Sequence, residues 1–212
     1  RPPKPPAPSM RIQWDSLDFT IPARSGKVRV IQVIPHQLLT RSVQEVPTVR
    51  NGEVISDPQR DLLKIVVVDR HTGSGRTAVG LVTGMGFIEG AIAGTVAHDH
   101  HNLMAVGVDD EAILTACRAV GEMGGGLSVA RGHDVVETLP LPVGGLMSSE
   151  AIHDVRTRLD SVLEAARSLG STLHDPFMAM SFLGLEVIPS LKITDQGLVD
   201  VNRFSLTPVL EP

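Results

Sequence analysis

Apolar positions in this chain of 212 residues follow two periods, and the two together predict its elements. Residues 27–35 (KVRVIQVIP) alternate and are rich in Val and Ile, which predicts a strand. Residues 62–68 (LLKIVVV) form a near-continuous apolar run, the pattern of a strand buried on both faces. Residues 77–83 (TAVGLVT) and 103–108 (LMAVGV) predict further strands, and 127–130 and 135–139 a later pair. Glycines 73, 75, 84, 86 and 90 mark turns or close backbone approaches between them. The period then changes to that of a helix. From Asp110 to Met123, Ile113, Leu114, Cys117 and Val120 fall on one face, with Asp109 as N-cap and Gly124 as stop. A second helix is predicted from Ser149 to Leu169. Ser148 is its candidate cap, Gly170 its end, and Ile152, Val155, Leu159, Val162, Leu163 and Ala166 its stripe. Residues 176–201 hold only short apolar runs around Pro189 and Gly197, and no internal repeat is present. The fold expected is α/β, a mixed β-sheet with packed helices.

Composition narrows the class. A hydrophobic content of 42% at this length supports one domain with a real core. Net charge is −5 and charged residues make up 20%, so no basic stripe is available for nucleic acid. Five Phe, one Trp and no Tyr supply no stacking platform for single strands either. No apolar run approaches the ~20 residues of a membrane span, so no membrane partner is expected. The start carries prolines instead of a secretory signal, and a soluble, cytoplasmic protein is expected. Five of the first eight residues are proline, so residues 1–10 read either as a linker between two domains or as an extended terminus, with the domain at 11–212. Cys117 is alone, which excludes an internal disulfide, and its helical setting predicts a small packed hydrophobe.

Candidate chemistry concentrates in His98-Asp99-His100-His101-Asn102, which holds three of the eight histidines. Such a knot of titratable and amide groups between apolar segments is costly unless satisfied, and it marks a functional site. An extended backbone would put His98 and His100 on one face; a turn or helix would bring His98 and His101 together. Either supplies two metal donors, where a closed site takes three or four. Asp69, His71, Asp195 and Asp200 are possible additions, but no spacing selects among them, and no metal is assigned to this chain. The plainer alternative is a polar strand entry capped by Asp99 and Asn102, with solvated histidines. Gly84-Met85-Gly86 opens no dinucleotide fingerprint, and Gly124-Gly125-Gly126 follows a helix, where a C-cap and tight turn explain it. Residues 139–148 (LPLPVGGLMS) read equally as a packed connection or as a pocket wall or docking surface.

Three stretches, 91–107 (AIAGTVAHDHHNLMAVG), 139–148 and 182–201 (FLGLEVIPSLKITDQGLVDV), resemble in order the C-terminal domain of bacterial adenine deaminases of the amidohydrolase superfamily. Residues 61–71 (DLLKIVVVDRH) fit the same pattern. The resemblance implies a single C-terminal domain lacking the catalytic barrel, from an enzyme that hydrolyses adenine to hypoxanthine and ammonia. Its manganese or iron would sit mainly in the barrel, so this chain alone is expected to be inactive. The implied partners are that barrel and adenine, and a homo-oligomer is expected. The family's pattern at the pentad is His-Asp-Ser-His-Asn, so His100 departs from it while the other four match. On that basis His98, Asp99 and His101 are the candidate catalytic, proton-moving residues, and Asn102 is the candidate for binding the N6/N7 edge of adenine. The rival readings are a non-catalytic structural or oligomerisation module and a free-standing metal-dependent hydrolase.

Overall fold

The structure is a computed structural model that describes residues 9–211. Most of the expected proline-rich stretch, residues 1–8, lies outside the described residues. Thirteen strands and three α-helices follow in the order β1 (Val28–Val33), β2 (Thr40–Glu45), β3 (Thr48–Arg50), β4 (Glu53–Ile55), β5 (Leu63–Val68), β6 (Thr77–Thr83), β7 (Ala91–Gly94), β8 (Leu103–Gly107), α1 (Asp110–Glu122), β9 (Gly126–Arg131), β10 (Asp134–Pro140), α2 (Ile152–Ser168), α3 (Pro176–Phe182), β11 (Leu191–Thr194), β12 (Gly197–Asp200) and β13 (Ser205–Thr207). Eight strands form one sheet in the order β10-β9-β7-β8-β5-β6-β1-β2. The β1/β6 pair is parallel and its other pairs are antiparallel, so the sheet is mixed, as the patterning predicts.

Burial explains the central strand. All six residues of β5 are buried, and its side chains alternate between two cores. Leu63, Ile65 and Val67 join the core under α2, α3 and β11, while Val66 and Val68 join the core under α1. Lys64 points to the α1 side and stays tolerable there because its ammonium reaches Asp110 (2.8 Å) and the Phe19 carbonyl (2.9 Å). The first helix starts where the sequence predicts: the Asp109 carboxylate accepts the Ala112 N–H at 2.7 Å. Trp14, on the entering segment, lies against the same helix at Gly121, where a Cβ would come 2.3 Å from its Cζ2.

The second helix departs from expectation. It begins at Ile152 with Ala151 as N-cap and no side-chain cap bond. Ser148 instead accepts the Glu150 N–H at 3.1 Å, a local turn that uses up the hydroxyl before the helix begins. Of the predicted stripe, Val162, Leu163 and Ala166 are buried, Val155 and Leu159 half-buried, and Ile152 exposed. At the start of α2 only Ile152 of the stripe is left off the core, while Val155 and Leu159 still pack against it.

The glycine clusters serve packing. The Gly84 and Gly86 amides donate to the Asp61 carboxylate at 2.6 and 2.8 Å, so a protein anion fills that turn. Gly125 meets the backbone of the 142–146 loop, where a Cβ would sit 2.4 Å from Gly145 Cα. Thr95 Oγ1 donates to the Gly145 carbonyl at 2.5 Å, which makes residues 139–148 a tightly packed connection.

Candidate functional site

The pentad occupies the turn between β7 and β8, two neighbouring antiparallel strands. Of the two geometries weighed, the turn is the one found. The His101 N–H donates to the Ala97 carbonyl at 2.6 Å, and His101 adopts a left-handed φ of +49°. The His98 N–H donates to Ser181 O at 3.1 Å, which pins the turn to α3. His98 and His101 converge as a result, their rings edge-to-face with centroids 5.7 Å apart. The other face of His98 stacks on Phe182 at 4.8 Å. Asp99 is the most exposed group of the turn, its side chain 81% accessible, with Oδ1 3.9 Å from His98 Nδ1. Beyond Phe182 lies a largely apolar cavity of about 330 Å³ between the 34–40 loop and α3.

The other two members face inward. His100 accepts the Asn102 N–H on Nδ1 at 3.1 Å, and its Nε2 lies where a Cβ on Gly184 would come within 2.7 Å. Burial lowers its pKa, against the pull of Glu186 and Asp195. Asn102 is buried, and its amide is engaged at both ends: Nδ2 donates to Asp195 Oδ1 at 3.2 Å, and Oδ1 takes the Arg70 N–H at 3.5 Å. Asp195 in turn pairs with Arg76 at 2.8 Å. The structure thus brings His98, Asp99 and His101 together at the surface and holds the Asn102 side chain beneath them.

His101 is half-buried, and its pKa is lowered. Burial is the largest cause, followed by the electrostatic influence of the neighbouring His98 and Arg70, with Asp99 pulling the other way. The imidazole is therefore neutral at neutral pH and able to accept a proton. His71 lies alongside, with Nε2 2.9 Å from the His100 carbonyl. Its loop is rigid because the buried Asp69 carboxylate accepts the amides of His71 (3.0 Å) and Thr72 (3.2 Å) and the hydroxyls of Thr72 and Ser74. Burial alone would push the Asp69 carboxyl up, but these donors outweigh it and hold it well below the usual carboxylate range.

None of the residues considered as additional metal donors completes a metal site. Asp69 is committed to its own loop, Asp195 to Asn102 and Arg76, and Asp200 to the amides of Asn202 and Arg203. Among the described residues no three His, Cys, Asp or Glu side chains converge as ligands.

The family model described as adenine deaminase C-terminal domain matches residues 37–205. The chain belongs to that family. It is 49% identical over 210 residues to an adenine deaminase of Desulfatibacillum aliphaticivorans, covering 99% of this chain and 37% of that protein. It is 47% identical over 198 residues to one from Oleidesulfovibrio alaskensis (93% and 34%) and 46% over 201 residues to one from Methanothrix thermoacetophila (95% and 35%). The chain thus spans about a third of the length of these relatives. In this adenine deaminase C-terminal domain, the residue that sequence reasoning missed is Arg70, whose Nε donates to the His101 carbonyl at 2.6 Å. A signal was available: the Asp69-Arg70 pair that follows the apolar β5 run puts charge where the core must accommodate it.

Proposed function

We propose that this domain acts as the C-terminal part of a cytoplasmic adenine deaminase, contributing His98, Asp99 and His101 to a purine pocket completed by the preceding metal-bearing barrel. The observation that carries this reading is the convergence of three proton-moving groups at one turn, one of them an imidazole kept neutral. In the reaction, water adds at C6 of adenine and ammonia leaves, giving hypoxanthine. His101, neutral at pH 7, can take a proton from the attacking water or pass one to the leaving nitrogen, and Asp99 can orient the imidazolium that results. His98 packs between His101 and Phe182 and fixes the ring's place. Asn102 supports the turn from below, and its amide reaches the N6/N7 edge only by releasing Asp195.

The donor set of this chain does not fit the manganese or iron that the family resemblance implies, so no step is assigned through a metal here. We place that metal in the barrel. The reading is tested by mixing the purified chain with a separately expressed barrel domain and following ammonia release from adenine. Activity that appears only in the mixture supports it; a barrel fully active alone overturns it.

A second role, as an assembly surface, is favoured by two exposed apolar residues, Met147 (60% exposed) ahead of α2 and Ile152 (85% exposed) at its start. Sedimentation of wild type against Ile152→Asp reads this directly: the homo-oligomer should weaken in the variant.

A further inference from the structure

Arg70 is 1% exposed and the bulkiest of the fully buried side chains. A guanidinium does not shed its proton, so burying it is a standing cost unless its donors are met. Here three of its five N–H donors meet backbone carbonyls: Nε donates to His101 O (2.6 Å), Nη2 to Gly144 O (2.9 Å) and Nη1 to Ser9 O (3.1 Å). These partners lie 31, 74 and 61 positions away in sequence. The loop backbone lies flat on the group, since a Cβ at Gly145 would come 2.8 Å from Nη1. The main chain of Arg70 joins the same knot, its N–H meeting Asn102 Oδ1 and its carbonyl taking the Arg11 N–H at 2.8 Å. One side chain therefore gathers the entering segment, the turn that carries His101 and the 142–146 loop.

We propose that Arg70 is a positioning residue that fixes the backbone of His101 to the entering segment at Ser9 and to the loop at Gly144, so that displacement of either is felt at the His101 imidazole. Two properties of arginine suit this role. Its rigid fork reaches three carbonyls from three separate nitrogens, whereas an ammonium would have to gather all of them around one atom. Its permanent charge adds to the groups that face His101, namely His98 and Asp99 from the turn and His71 from the Asp69 loop, and it biases the ring toward the neutral form. The catalytic consequence rests on the function proposed above; the coupling itself does not.

The experiment is an NMR titration of the His101 ring in the 212-residue chain, alongside Arg70→Met, Arg70→Lys and a variant lacking residues 1–9. Arg70→Met should raise the His101 pKa by about half a unit or more. Arg70→Lys should leave the titration near wild type yet move the His101 amide resonance, because the charge stays and the fork is lost. Removing residues 1–9 should also move that amide while leaving Val162 and Ala166 of α2 unchanged. If Arg70→Met does not fold, the other two variants decide the matter. An His101 ring and amide indifferent to every folded variant would overturn the proposal. In the full-length enzyme Arg70→Lys should lower kcat by roughly tenfold with KM little changed. A full-length His101→Ala enzyme with normal turnover would sink the proposed function without altering the NMR result.

Discussion

On the outward side of the 98–102 turn, Asp99 keeps 81% of its side chain exposed, and the His98 and His101 rings meet edge-to-face, with His101 Nδ1 turned inward and unpartnered. On the inward side, His100 accepts the Asn102 amide, and Asn102 bridges Asp195 and Arg70. The two sides carry nearly the same chemistry, imidazole with carboxylate or carboxamide. What separates them is what each can still bind. A hydrogen bond made within the domain contributes to holding the turn, whereas an unpaired group is open to another molecule only where it also reaches the surface, as Asp99 does and the buried His101 Nδ1 and His100 Nε2 do not. Residue type thus marks the locality, and orientation assigns the task.

The comparison is broken most directly on the outward side. Asp99→Ala or His101→Ala in the full-length enzyme should lower adenine turnover by about 100-fold or more, with the urea midpoint little changed. Unchanged turnover would erase the distinction between the sides. On the inward side, Asn102→Ala leaves Asp195 Oδ1 and the Arg70 N–H unmatched in a buried site and should cost about 2 kcal/mol by urea denaturation. Lys192, behind Phe182, gives the inward side a pH signature. Its ammonium donates to the Leu38 and Phe182 carbonyls, and burial pushes its pKa down from 10.5 to about 8. Between those values the unfolded chain binds more protons than the folded one, so stability should rise with pH. The gain from pH 8 to 10, relative to Lys192→Met, should be about 2 kcal/mol. The smallest effect is expected at His100. His100→Ser restores the residue of the family pattern and leaves space beside Gly184, at a cost of about 1 kcal/mol and with turnover retained.

Much of the frame was legible because burial on two faces leaves a strong imprint. The β5 run, the β9/β10 pair and the Asp109 cap are all written locally in hydrophobicity and capping chemistry. Elements held by distant partners were not. β7 (AIAG) is built of small residues, α3 spans only seven, and β11 and β12 are four-residue strands, too short to display a period. The start of α2 was misplaced because Ser148 serves a turn as readily as a helix cap. At the site, the pentad was legible as a concentration of costly groups. Its division into two sides was not, since that depends on Gly184, Asp195 and Arg70, contacts that no spacing within five residues encodes.

The notch at Gly121 has an optical consequence. Trp14 is the one tryptophan of a chain without tyrosine, and its indole sits in that notch with the Arg118 guanidinium 5.7 Å from the ring centroid. Ultraviolet emission from this molecule is in effect the signal of a single ring, placed on the segment that leads to Arg70. The entering segment carries its own fluorophore, and lifting it off α1 would be seen as a red shift without any label.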